Sequence, residues 1–203
     1  VDFPMLKILS EMENEGITVS KEKMKKLSKS LSTKLTNLQN KCYSITEKDF
    51  NLNSPKQLSE IFFNELKYPV LKKTPKGAPS TDASVLEELA KNYELPKHIL
   101  KYRELEKIRS TYVDGLLPEV SNYSKIHTHY NLFGTTTGML SSEKPNLQNI
   151  PNKTELRQQI RDFCISKPSM NFILSDYSQI ELRVLAHLSQ DSEMIKILNE
   201  ENS

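Results

Sequence analysis

The apolar positions in the first half of the chain recur at helical intervals. Met24, Leu27, Leu31, Leu35 and Leu38 lie three or four residues apart and form one stripe of a long helix, with lysines, serines and threonines between them. Such a stripe has to be covered, so this helix needs a packing partner. Ser20 stands where its N-cap belongs. Before it, residues 4–15 read as a short amphipathic helix stopped by Gly16, with Ile17-Thr-Val19 as an extended link. A second start signal lies in Asn53-Ser-Pro-Lys-Gln57, with Ser54 as cap, Pro55 in the first turn and Gln57 placed to complete a capping box. Residues 72–81, with two prolines and a glycine, read as a loop. Helices are predicted after it over 82–93 and 97–120, the latter begun by Pro96.

From Ser121 the pattern changes. Lys125-Ile-His-Thr-His-Tyr-Asn131 alternates with the period of two that a strand requires, and 134–152 is a loop rich in Gly, Thr, Ser, Pro and Asn. Residues 156–164 and 171–176 read as strands on either side of a turn at Lys167-Pro-Ser. Phe172, Ile173 and Leu174 are the short apolar run of a buried strand, and Asp176 follows at its end. Ser178 and Glu181 have capping-box spacing, and Ile180, Val184, Leu185 and Leu188 recur at helical spacing behind them. The order is strand, acid, helix. A carboxylate held there suits a divalent cation bound against a phosphate, because hard cations such as Mg²⁺ take one or two carboxylates plus substrate phosphates. The fold class is α+β, helical up to a boundary near residue 123 and mixed beyond it.

Composition narrows the function less than the patterns do. With 203 residues, 36% hydrophobic and 27% charged, the chain has the make-up of an ordinary globular protein. No apolar run approaches the roughly 18 residues of a membrane span. There is neither an initiator Met nor a signal-peptide pattern, and a chain opening at Val1 is read as a fragment. Cys42 and Cys164 have no zinc-site spacing and are expected to be reduced packing residues. A net charge of +2 does not by itself imply nucleic acid, but its distribution is uneven. Seven lysines lie between Lys21 and Lys41 against the single acid Glu22, and Lys67, Lys72, Lys73 and Lys76 form a second group. That excess can attract phosphate without regard to sequence, and it can equally be a solvated helix face.

Two longer motifs carry a specific resemblance. Asp176-Tyr-Ser-Gln-Ile-Glu-Leu-Arg183 resembles motif A of the family A DNA polymerases. Upstream, Thr135-Thr-Thr-Gly-Met-Leu-Ser-Ser-Glu-Lys-Pro-Asn-Leu-Gln-Asn-Ile-Pro151 resembles that family's Thr-Gly-Arg-Leu-Ser-Ser and Pro-Asn-Leu-Gln-Asn-Ile-Pro stretch. The likeness extends back through Lys72-Lys-Thr-Pro-Lys-Gly-Ala-Pro-Ser-Thr81 and Asn51-Leu-Asn-Ser-Pro-Lys-Gln-Leu58, and the thumb is most similar to the bacterial enzymes. The resemblance implies a helical thumb over 1–123 and the N-terminal part of a β-sheet palm over 124–203. It also implies a template-directed DNA polymerase that adds deoxynucleotides to a primer 3′ end and releases pyrophosphate, as a monomer on primer-template DNA in the bacterial cytoplasm, associated with the nucleoid and with no membrane.

The family assigns roles to particular residues. Asp176 would bind both catalytic Mg²⁺ ions, and the Tyr177 carbonyl would be a second ligand to metal. Glu181 and Gln179 would serve the deoxynucleoside triphosphate, with Glu181 excluding a 2′-hydroxyl by occupying its place. Glu181 can equally be no more than a helix-capping residue. Arg183 can be structural, and His187 is read as a packing residue. Thr137, Ser141, Asn146, Gln148 and Asn149 would follow the primer-template minor groove, although a loop of such side chains can also bond only its own backbone. Arg103 and Lys107, four residues apart on one helix face, would touch the duplex backbone. Ion pairing with Glu104 and Glu106 is the competing pattern. Lys25, Lys26 and Lys29 are further candidates.

In one place the chain departs from the family. Met139 stands where the family has an Arg that reaches the minor groove at the primer terminus, and Met carries neither charge nor donor. The chain also stops at Ser203, before the fingers helix and the second palm aspartate. Asp191, at the far end of the following helix, does not replace that aspartate. These features leave a second reading, a non-catalytic DNA-binding module.

Overall fold

The computed structural model describes residues 2–150 and 156–200, which contain eight α-helices and four short strands in two compact units, Val1–Ile165 and Ser166–Ser203. Pro151 and Asn152, the end of the loop predicted over 134–152, lie outside the described residues.

The first unit is built on two long helices. α1 (Asp2–Glu15) ends at Gly16, whose φ of 62° and closeness to the Ile126 carbonyl, 2.7 Å from where a Cβ would stand, admit only glycine. β1 (Ile17–Thr18) leads into α2 (Lys21–Thr46), capped as predicted by the Ser20 hydroxyl, which accepts from the Lys23 amide at 3.3 Å. The partner that covers the α2 stripe is α5 (Glu94–Ile108), which continues through a π-helical turn, Arg109–Asp114, to Leu117–Glu119. The two run antiparallel. Met24, Leu27, Leu31 and Leu35 meet Leu105, Ile108, Tyr112 and Val113 in one core, whereas Cys42 near the other end of α2 meets Leu95 and Ile99 in a second.

That second core is closed by α3 (Pro55–Ser59), its π-helical continuation Glu60–Glu65, and α4 (Ala83–Leu89). Ser54 caps α3, but Gln57 does not complete the box: its side chain accepts from the Asn51 amide at 2.6 Å instead and fastens the preceding turn. Burial raises the Cys42 thiol to about 11, and both cysteines are free.

The alternating segment after the helices divides into β2 (Lys125–Ile126), which pairs with β1, and β3 (His129–Asn131), which pairs with β4 (Ser141–Glu143). The strand expected over 156–164 is instead a short helix, α6 (Arg157–Arg161). Leu156, Ile160 and Phe163 are all buried, and a spacing of four then three puts them on one helix face, where a strand would point them to opposite sides. Only the end of the segment behaves as a strand, with Cys164 bridging Val19 and the Ile165 amide donating to the Thr18 carbonyl at 2.9 Å.

In the second unit, 171–176 has no regular secondary structure and forms no ladder with a described residue, and Ile173 and Leu174 are 94% and 86% exposed. A strand exists through its ladder, and no ladder forms here. Ser178 does not cap the next helix, α7 (Ile180–Ser189). Gln179 takes the cap position in a left-handed conformation, φ 51°, and its side chain makes no capping bond. α8 (Ser192–Glu200) is begun by Asp191, which accepts from the Met194 amide at 2.8 Å.

Candidate nucleic-acid interface and metal site

The helix α5 sets out Arg103 and Lys107 one turn apart, and the structure gives them different surroundings. Arg103 is half-buried. Its Nε donates to the Leu52 carbonyl at 3.3 Å and its Nη1 to the Thr81 carbonyl at 3.2 Å, joining the turn before α3 to the end of the 72–81 loop. The same burial lowers its pKa. Lys107 is exposed. Neither residue pairs with the neighbouring glutamates, since Glu104 takes Lys101 at 3.0 Å and no ion pair to Lys107 occurs among the described residues.

Lys107, with Thr111 and Gly115 of the same helical stretch, lines a cleft of about 530 Å³ that Pro145, Asn146 and Asn149 of the loop line as well. A single cation therefore faces two neutral amides across a space open to solvent, the chemistry of a groove that takes a phosphate backbone and an adjacent base or sugar edge. Asn146 accepts the Gln148 amide on its Oδ1 at 3.0 Å, while its amide nitrogen makes no bond to a described residue. Gln148 donates to the Leu140 carbonyl at 3.1 Å, so part of this loop does bond its own backbone. Thr137 and Ser141 lie farther along it. Thr137 is on the exposed turn, where its hydroxyl meets that of Thr135 at 3.4 Å, and Ser141 opens β4, 3.5 Å from the Asn131 carbonyl. Met139 is exposed on the same turn.

Sequence reasoning passed over Thr128 and Ser142. They are 5% and 2% exposed, and their hydroxyls lie 2.6 Å apart beneath the loop. The signal was a threonine at an inward position of an alternating strand, where an apolar residue would be usual. Lys25, Lys26 and Lys29 are exposed on α2, and Lys23 donates to the Asp162 carbonyl at 3.1 Å.

In the second unit, Asp176, Tyr177, Gln179 and Glu181 follow one another on exposed backbone and the first turn of α7. Asp176 carries no hydrogen bond or ion pair among the described residues. Its carboxylate and the adjoining Tyr177 carbonyl are two hard oxygen donors, which fits Mg²⁺, an ion that fills its remaining positions with water and phosphate. No group of three or more metal-ligating side chains occurs among the described residues. Arg183 is structural: its Nε donates to the Ser178 carbonyl at 2.8 Å and its Nη1 to the Leu198 carbonyl at 3.1 Å, tying α7 to α8. His187 is exposed rather than packed.

The sequence profile of DNA polymerase family A matches residues 21–202, and the chain belongs to that family. Its relatives include the DNA polymerase I of Geobacillus stearothermophilus, 45% identical over 198 residues, and that of Bacillus subtilis (strain 168), 44% identical over 198 residues. Each alignment covers 97% of this chain and 22% of the relative, so the chain spans about a fifth of the length of these curated proteins. A solved structure described as the POL domain of Pol1 from M. smegmatis in complex with DNA primer-template and dNTP matches with a TM-score of 0.87 at 37% identity, covering 98% of this chain and 35% of that one. The α+β class follows from the same match.

Proposed function

We propose that this chain supplies the DNA-gripping helices and the first metal-binding acid of a template-directed DNA polymerase acting in replication and repair. The observation that carries the reading is the match of nearly the whole chain to a polymerase domain solved with primer-template and a deoxynucleotide. In this reading residues 1–123 are the thumb and 124–203 the first part of the palm. The protein is a monomer in the bacterial cytoplasm, associated with the nucleoid. No helix among the described residues is long and apolar enough to cross a membrane.

Each residue then has a task. Lys107 holds a phosphate of the duplex, and Asn146 and Asn149 face its minor-groove edge from the other wall of the cleft. Thr137, Ser141 and Gln148 continue that track, and Arg103 borders it while two of its donors secure the loops beside it. Asp176 and the Tyr177 carbonyl would hold Mg²⁺, and two such ions would stabilise the attacking and leaving oxygens of an in-line displacement. Gln179 and Glu181 stand in the next turn of chain, where the sugar of the incoming nucleotide would lie, and a carboxylate side chain there leaves no room for a 2′-hydroxyl.

The second reading, a DNA-binding module without catalysis, is favoured by Met139, an exposed neutral side chain at the position of the family's minor-groove Arg. One substitution separates the two. In the full-length protein Asp176→Asn is expected to reduce single-nucleotide incorporation more than tenfold while primer-template affinity stays within a few fold. Incorporation above about a tenth of the wild-type rate, a barrier change of less than about 1.4 kcal/mol, would overturn the assignment of Asp176. A wild-type protein that binds primer-template and incorporates nothing would establish the second reading.

A further inference from the structure

The wall of the cleft that faces Lys107 is a short turn, and its shape is held from beneath. Thr128 Oγ1 lies 2.6 Å from Ser142 Oγ, 2.7 Å from the Pro145 carbonyl and 3.1 Å from the Glu143 carbonyl, and the Leu147 amide lies 3.1 Å from Ser142 Oγ. Leu147 N–H donates to Ser142, because an amide N–H can only donate. The two hydroxyls share one hydrogen bond in which either can be the donor, and both stand within reach of the Pro145 carbonyl, Thr128 at 2.7 Å and Ser142 at 3.3 Å. Both ends of Pro145-Asn146-Leu147 are thereby fastened to one buried hydroxyl pair, with Asn146 at the apex between them. The strand register supplies the rest. β3 and β4 pair His129 with Glu143 and Tyr130 with Ser142, which fixes the segment after Thr128 against the one carrying Ser142.

We propose that Thr128 and Ser142 are positioning residues for the nucleic-acid cleft, holding the turn so that Asn146 and Asn149 stay opposite Lys107. The proposal rests on the reading of that cleft as a duplex-binding surface. Neither hydroxyl touches the ligand. They act on the fraction of molecules whose turn is already in the binding shape, and a ligand's apparent dissociation constant rises in inverse proportion to that fraction. Each bond in the chain polarises the next, so the loss of one hydroxyl weakens both fastenings.

The test uses the full-length protein with Thr128→Val, which keeps the shape and removes the hydroxyl, with Thr128→Ser as the conservative rescue, and with Asn146→Ala and Lys107→Ala as direct cleft variants. Fluorescence anisotropy with a labelled primer-template hairpin, well below the melting temperature of each variant, gives the dissociation constants, and hydrogen exchange gives the protection of the Leu147 amide. Thr128→Val is expected to raise the dissociation constant about tenfold and expose the Leu147 amide, with Thr128→Ser restoring both to within about twofold, since an unpaired buried acceptor costs on the order of one decade in a local equilibrium. If Thr128→Val lowers only the melting temperature, with binding unchanged while Asn146→Ala and Lys107→Ala weaken it, the hydroxyls are structural and the proposal is overturned. If the two cleft variants also leave binding unchanged, the duplex reading of the cleft has failed and the proposal falls with it. Should Thr128→Val not fold, Ser142→Ala removes the other member of the pair and is judged by the same outcomes.

Discussion

A guanidinium with two donors committed to backbone carbonyls contributes differently from an ammonium that projects into solvent, even when the two lie one helical turn apart. Arg103 joins the Leu52 and Thr81 carbonyls, which belong to separate loops, and its planar fork sets the spacing between them. Arg103→Ala is expected to destabilise the full-length protein by about 1–3 kcal/mol, because both carbonyls lose a charged donor in a partly buried setting. Arg103→Lys should recover only a small part of that, since one ammonium cannot span both acceptors. Chemical denaturation would measure it, and an Arg103→Ala variant as stable as the wild type would show that water replaces the guanidinium without cost. The pattern of charges alone could not separate Arg103 from Lys107, since four-residue spacing shows only a shared face and says nothing of the carbonyls some fifty and twenty residues away in sequence that single out Arg103.

Among the elements, α4 depends on a charged cap. Asp82 takes the Lys72 ammonium at 2.6 Å, the Val85 amide at 3.0 Å and the Ser84 hydroxyl at 2.8 Å. The lysine, then the amide, then the hydroxyl hold its carboxyl well below the usual carboxylate range. The folded form therefore binds its proton less readily than the unfolded chain, whose Asp titrates near 3.9. The stabilisation is complete above about pH 5 and is lost as pH falls toward the depressed folded value. Thermal melts of wild type and Asp82→Asn should differ most above about pH 5 and converge at lower pH, and a gap that stays constant down to about pH 2 would show that the charge is irrelevant. The cap at Ser20 was legible because it is local, whereas Asp82 was read as the first residue of its helix and not as its cap. The helix α6 was equally local and was misread: Arg157, Gln158 and Gln159 obscured the four-three spacing of Leu156, Ile160 and Phe163. The failure at 171–176 has another cause, because a strand's partners are never written in its own residues, and the failed cap at Ser178 turned on Gln179 adopting a left-handed backbone that its neighbours do not announce.

At the scale of the whole molecule the proposed function raises the question of which of its many cations would meet a duplex. α2 turns its apolar stripe toward α5, and Lys25, Lys26 and Lys29 are exposed away from that stripe, whereas Lys107 stands in the cleft beside Asn146 and Asn149. A ligand in the cleft is therefore met by few of the lysines that make the sequence look basic. Each phosphate contact on duplex DNA releases about 0.9 of a counterion, so the steepness of the fall in affinity with salt counts the side chains that touch phosphate. In the full-length protein Lys107→Ala should reduce that slope by about 1, and the triple change Lys25→Ala, Lys26→Ala and Lys29→Ala should leave it unaltered. Asn146→Ala should weaken binding at every salt concentration without changing the slope, because an uncharged contact displaces no counterion. Anisotropy titrations with a labelled hairpin over a salt series would supply all three numbers. A slope that falls with the triple change and not with Lys107→Ala would move the duplex to the outer face of α2 and leave the cleft without a role in binding.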